Sequence, residues 1–386
     1  MPGTRWPERF EPAHLPPILI ASLAVCSFWS TAGVEFCAAL LLVLSLALHW
    51  RRMFWFPIPL LIWVAYVLGV IASILFSPFS ENGLSTFNKL WHSGLFLVGL
   101  TLAPTVRELD IVSRAFTYSA AVATGLAIVM YMTDQSAYAT SLVMGLTTFS
   151  SLLAVAGMTS LLQFLRTDHR NRIRQMGELL VCIAISTGVL FTARLAAAAA
   201  LVVGSGFVLL RMRPAFIPYW AAMLLVIFAL SPEALLIKLS WVVGGGQTDR
   251  YVLWNGGLNL LWELPPFGFG PGSFPKILPA QVLSGFSYKP PASWHNDFLQ
   301  MTIESGWITA VLYSCGVGAV NLLTMKRALS HSSGTERSSA VMGAGLLGVL
   351  TLIACADSVV STAVLGVVWW LVLGAVTGYI MRKDGT

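Results

Sequence analysis

Charge is what this sequence has least of. Asp, Glu, Lys and Arg make up 10% of its 386 residues, against roughly a quarter in a soluble domain. With 56% hydrophobic residues and a mean hydropathy of +0.77, that shortage excludes a water-soluble globular fold. Segments of alternating apolar and polar residues are missing too, which excludes a transmembrane β-barrel. The cysteines, Cys26, Cys37, Cys182, Cys315 and Cys355, all fall in apolar runs without CxxC spacing. They read as small packing residues and exclude a disulfide framework or a cysteine-based metal site. Internal repeats and low-complexity linkers are absent. No cleavable signal peptide is expected, because the first apolar stretch leads straight into a second. The net charge of +6 does not point to nucleic acid, since the positive residues sit in short loops between apolar runs.

What remains is a succession of apolar runs near the spanning length of roughly 18 residues. They predict an all-α polytopic transmembrane bundle, a single integral membrane domain over residues 1–386. About twelve spans are expected, at 16–31, 34–50, 58–77, 90–105, 111–132, 141–165, 175–191, 195–210, 215–230, 298–323, 340–356 and 363–381. Gly33 offers the break between the first two. Small residues in "LAAAAALVVGSG" and "GLLGVL" predict close helix packing. With the N-terminus taken as cytoplasmic, 17 of the 23 lysines and arginines fall in inside loops, as the positive-inside bias requires. Both termini are then cytoplasmic.

The six on the outside are Lys89, Arg194, Lys238, Arg250, Lys276 and Lys289. Lys238 and Lys276 read as solvated loop charges and Lys89 as an anchor at the end of its span. Arg194 lies between "VLFTA" and "LAAAAALVVG", in a turn too short to be a free loop. A guanidinium there needs an anionic partner or a route to water; a structural pair and a ligand contact are both open.

Outer loops are short except 231–297, a large periplasmic loop between spans nine and ten. It opens with an amphipathic piece, "PEALLIKLSWVV", and a flexible "GGGQ". A helical piece follows, "TDRYVLWNGGLNLLWEL", with Val252, Leu253, Leu260 and Leu261 at helical spacing and Thr248 or Asp249 as its cap. Next comes "PPFGFGPGSF", which no regular helix accommodates and which is expected to fold back over the membrane surface. Its glycines allow close backbone approach, but it lacks the strand, helix and GK[ST] of a nucleotide loop.

The excursion ends at "SWHNDFLQMTIESG", residues 293–306, which places His295, Asn296 and Asp297 at the lip of a span. Asn296 or Asp297 suits a helix cap. A metal centre is not expected: in a helix starting at 295, positions 295 and 304 lie about 180° apart, and His14, His49, His169 and His331 fall on the cytoplasmic side. His295, Arg194 and Arg250 share the outer side next to helix ends. Guanidiniums bind phosphate bidentately and stay charged, and a histidine suits proton transfer near neutral pH. The trio fits attack of a hydroxyl on a carbon whose leaving group is a lipid diphosphate. The plainer alternative is that His295 caps and anchors at the interface.

Together, "DRYVLWNGGLNLLWELPPFGFGPGSF" and "HNDFLQMTIESG" resemble the bacterial O-antigen ligase and O-antigen polymerase superfamily. The corresponding residues are Arg250 and Trp254, the loop from Pro265 through Gly272 with Gly270 in it, and His295, Asn296, Glu304 and Gly306. Arg194 matches, by position, an arginine at an earlier outer helix end; the family often has Ser before it and Gly after it, where this chain has Ala193 and Leu195. The resemblance implies an inverting, metal-independent C-type glycosyltransferase, without cofactor, at the periplasmic face of the bacterial inner membrane. It implies an undecaprenyl-diphosphate-linked glycan as donor. The acceptor is a lipid A-core sugar in a ligase and a lipid-linked repeat unit in a polymerase. Arg250 and Arg194 would hold the diphosphate and His295 would activate or orient the acceptor, with Asn296, Trp254, Gly270 and Glu304 in support. A twelve-span transporter is the alternative from another class. The basic loop "RTDHRNRIR" splits the chain six plus six, but the long outer loop and the scarcity of intramembrane charge, mainly Glu35, Glu178 and Glu304, argue against it.

Overall fold

The computed structural model describes residues 17–79, 90–101, 106–133, 138–167, 171–229, 237, 240, 249–278, 293–330 and 334–383. Its helices are α1 (Pro17–Trp29), α2 (Thr31–Met53), α3 (Pro57–Phe76), α4 (Leu95–Thr101), α5 (Val106–Met132), α6 (Leu146–Arg166), α7 (Arg172–Phe191), α8 (Leu195–Met212), α9 (Ile217–Ala229), α10 (Asp249–Leu260), α11 (Phe274–Ile277), α12 (Asp297–Leu329), α13 (Gly334–Ala354) and α14 (Ala363–Lys383). Among the described residues there is no strand, and nine helices are long and apolar enough to cross a membrane: α2, α3, α5 to α8 and α12 to α14. The other three expected spans fall on shorter helices, α1, α9, and α4 with the 3₁₀ turn Trp91–Gly94 before it.

The first two helices part at Ser30, not Gly33. Ser30 has extended backbone and its side chain accepts the Gly33 N–H at 2.9 Å. A serine that satisfies an orphan donor starts a helix better than a glycine that satisfies none. Gly33 sits inside α2, where a Cβ would come within 2.8 Å of Cys26 Sγ.

Of the nine long helices the most deeply buried is α6, surrounded by α5, α7, α8 and α13. The packing expected of the small residues is present: a Cβ on Gly204 would lie 2.5 Å from Val349, and one on Gly345 2.7 Å from Val208. Closer still is α14 against α4, where Gly374 leaves no room for a Cβ beside the Phe96 carbonyl. Hydroxyls within the helices bond back to the preceding turn, as Ser27 to Leu23, Thr101 to Leu97 and Thr377 to Leu373. This is how a polar side chain is satisfied inside an apolar helix.

The two ends of the bundle differ. One gathers the C-termini of α2, α4, α6, α8, α12 and α14 and is rich in arginine. There Arg211 donates to the Ala328 and Leu329 carbonyls, Arg327 to Ile380, and Arg337 to Arg211. Arginines thus cap the carbonyls that neighbouring helices leave open at their C-termini. The opposite end carries α10, α11 and the loop between them.

That loop is anchored by a break in a helix. Gly306, at φ 79° and ψ 169°, interrupts α12, a conformation essentially reserved to glycine. The Ile303 and Glu304 carbonyls accept the N–H groups of Phe269 and Gly270, each at 2.9 Å. The Ser73 hydroxyl of α3 also donates to Glu304 O, at 2.7 Å. The contact is so close that a Cβ on Gly268 would stand 2.6 Å from the Glu304 backbone. The Pro-Gly loop is irregular, as expected, and is pinned into the gap between α3 and α12.

Candidate functional site

His295 is positioned by what precedes it. Trp294 is fully buried against Phe274 and Leu253, and its carbonyl accepts the Trp254 indole N–H at 2.9 Å. Gly257 faces the Trp294 ring, where a Cβ would come within 2.8 Å. So α10 rests on Trp294 and brings Arg250 toward His295. The backbone then turns sharply: His295 has φ +49°. Asn296 follows as the N-cap of α12, its Oδ1 accepting the Leu299 N–H at 3.0 Å.

Asp357, between α13 and α14, joins the cluster and is its principal addition to the sequence reading. Its Oδ1 lies 2.9 Å from His295 Nδ1 and accepts the Ser358 N–H at 2.9 Å; its Oδ2 is 3.5 Å from Arg250. The Asp357 side chain is 6% exposed, while His295 and Arg250 are each 29% exposed. A nearly buried carboxylate therefore holds two side chains that still reach the surface. Burial holds the Arg250 guanidinium below its usual value; Asp357 opposes that shift and the nearby charge of Arg194 adds to it.

Arg194 is the N-cap of α8. A cation there sits at the positive end of the helix dipole, the unfavourable end. Its Nε is buried without a hydrogen bond, and among the described residues it forms no ion pair. Ala193 before it has φ +50°. Ala193 and His295 are the non-glycine residues with left-handed backbone among those described, and each adjoins or is a candidate site residue. Strain of that kind persists where the surrounding structure holds a functional group in place.

Two roles change. Asp297 does not simply shape its helix start: its carboxyl accepts the N–H groups of Val359 and Val360 at 3.0–3.1 Å, tying the 357–361 loop to α12. Glu304, read above as an intramembrane charge, is buried two residues before the break in α12, its Oε2 accepting the Gly272 N–H at 3.0 Å. Because α12 starts at Asp297, Asp297 and Glu304 are two turns apart and line one cavity. His92 is a second histidine at this end, buried in the 3₁₀ turn with its ring 4.5 Å from that of Trp91. Lys276 is exposed, with Nζ over the Phe79 ring. Among the described residues no three His, Cys, Asp or Glu groups gather as metal ligands would. The pieces "PEALLIKLSWVV", apart from Ile237 and Ser240, and "GGGQ", the proposed cap at Thr248 or Asp249, and Lys89, Lys238 and Lys289 lie outside the described residues or side chains.

Fold and site together define a polytopic helical membrane protein with a cationic site at one end of its bundle. Residues 179–314 match the family model described as O-antigen ligase, which supports the resemblance to the O-antigen ligase and polymerase superfamily and a function of that type. The matched stretch contains Arg194, Arg250 and His295 and stops short of Asp357. No curated protein matches the chain closely enough to serve as a relative.

Proposed function

We propose that the chain transfers a glycan from undecaprenyl diphosphate to a sugar hydroxyl of a lipid A-core acceptor, at the periplasmic face of the bacterial inner membrane. The observation that carries this reading is the convergence of Arg194, Arg250 and His295 with Asp357 at one end of the bundle. The excess of guanidinium over carboxylate, beside the N-terminus of α8, suits a diphosphate. The Nδ1–H of His295 donates to Asp357, fixing the tautomer whose Nε2 is open to a hydroxyl. In the transfer, the acceptor oxygen bonds to the anomeric carbon as the bond from that carbon to the diphosphate oxygen breaks. The hydroxyl proton passes to His295 Nε2, and the electron pair of the broken bond leaves with the diphosphate. The arginines neutralise the growing charge, so the chemistry needs no metal, and one displacement inverts the anomeric centre. The 231–297 excursion supplies Arg250 to this site.

His295→Ala and Arg250→Ala should each abolish transfer while the protein inserts normally; full transfer in both would sink the assignment. Deleting the protein and resolving the surface glycan on a gel separates ligase from polymerase. Loss of a ligase strands long polymer on the carrier lipid, whereas loss of a polymerase leaves a core with at most one repeat. Unchanged surface glycan with lost uptake or export of a solute would favour a transporter instead.

A further inference from the structure

Across the 357–361 loop from the arginines lies a second compartment. It is a cavity of about 300 Å³ between α3, the 3₁₀ turn, the Pro-Gly loop, α12 and the start of α14, at the lower end of the roughly 300–1,000 Å³ typical of ligand pockets. Its lining is different in kind. The carboxyl groups of Asp297 and Glu304 face it, and among the described residues no lysine, arginine or histidine lines it. Such a wall disfavours a phosphate.

Its hydrogen-bonding groups are mixed. Gln300 brings an amide, Ser93 and Ser361 bring hydroxyls and Glu304 brings acceptors. Ser93 is 2% exposed and its Oγ has no hydrogen-bond partner among the described residues, an unmet polar atom beside the cavity. Three aromatic residues complete the wall, Phe274, Tyr66 and Trp370, the last two with ring centroids 5.2 Å apart. Carboxyl, amide and hydroxyl groups beside aromatic faces match a molecule with hydroxyls at its rim and C–H bonds on its faces.

We infer that this cavity is a saccharide subsite that takes a neutral pyranose ring. The inference rests on the proposed glycan transfer for its place in a reaction, and the ring belongs to either the donor glycan or the acceptor. The wall between the two compartments is also their link. Asp357 holds His295 and Arg250, Ser358 Oγ donates to Ser293 and Gln300 at 2.8 and 3.2 Å, and Val359 and Val360 bind Asp297. The unlike linings of the two sides sort one substrate into its parts, phosphate toward the arginines and sugar toward the carboxyl, amide and hydroxyl groups.

Ser361→Leu and Ser93→Leu fill the cavity without touching the arginines. With full-length protein in nanodiscs, both should bind undecaprenyl diphosphate as the parent does, read by thermal shift, while kcat/KM falls about tenfold or more, the scale of a pocket misfit. A raised KM for the acceptor assigns the ring to the acceptor; a raised KM for the donor assigns it to the donor. Should Ser93→Leu fail to fold, Ser93→Ala and Ser361→Ala replace it, with a smaller loss in the same constant. Parent-like kcat/KM for both substrates in the folded variants overturns the subsite. A second readout is independent of transfer: saturation-transfer NMR with methyl glucoside and methyl galactoside. A signal in the parent that is lost in Ser361→Leu upholds the subsite even if the parent transfers no glycan, and no signal from either glycoside overturns it.

Discussion

Arginines occupy both ends of this bundle, and they do different things. At one end Arg211, Arg327 and Arg337 donate to main-chain carbonyls of neighbouring helices. Each cation finishes a helix C-terminus, where the dipole favours it. At the other end Arg194 stands at a helix N-terminus with its Nε unpaired, and Arg250 reaches a carboxylate only at 3.5 Å. The first set spends its terminal guanidinium donors on the fold, although Arg211 Nε, like Arg194 Nε, has no partner among the described residues. The second set is held against local electrostatics and left with unused donors, as a site for an external anion must be.

Breaking that contrast is direct. Arg194→Ala and Arg250→Ala should each lower glycan transfer by a factor on the order of 10²–10³ or more, the cost of losing a charge-stabilising donor, with thermal stability unchanged or raised. Retained transfer with lost stability would place them beside the structural arginines. Next, Asp357→Asn should lower kcat by about 10²-fold, within the range of acid–base assistance. Parent-like kcat in a folded Asp357→Asn variant would reduce Asp357 to a structural tie. Gly306→Ala forces a residue with a Cβ into a backbone region that glycine alone adopts, and should cost ~1–3 kcal/mol. Denaturation in detergent measures that cost, and part of the transfer should go with it as the Pro-Gly loop lifts. The smallest effect belongs to Arg327→Ala. It removes one carbonyl cap worth about 1 kcal/mol and should leave transfer at the parent's rate.

Much of the scaffold was legible in one dimension because lipid solvent imposes long apolar runs. Every expected span falls on a helix, although three of those helices are short. Where the chain breaks was less legible. Ser30 outcompetes Gly33 as a helix start, and Gly306 interrupts what reads as one uninterrupted span. Of the site, Arg194, Arg250 and His295 stood out because outer charges are rare, and the structure brings all three to one end. Asp357 did not, since it lies 62 residues beyond His295 in a short gap between two apolar runs. A lone aspartate there looks like any loop charge. The one available signal was that the span count puts it at the same end of the bundle as Arg194 and Arg250.

The sequence alone determined that this is a helical bundle for a lipid environment, which scarce charges stand apart from the arginine-rich loops, and where a Pro-Gly loop must depart from helix. These follow from local chemistry: apolar length, helix-breaking residues and the bias of lysine and arginine. Only the tertiary structure decided which carboxylate meets His295, that Asp297 ties one loop to another, and that a carboxyl-lined cavity lies beside the arginine cluster. Pairings between distant loops depend on how helices of nearly interchangeable apolar surface pack against one another. That packing is set by steric detail such as Gly374 on Phe96 and Gly306 on Pro266, which leaves no periodic trace along the chain.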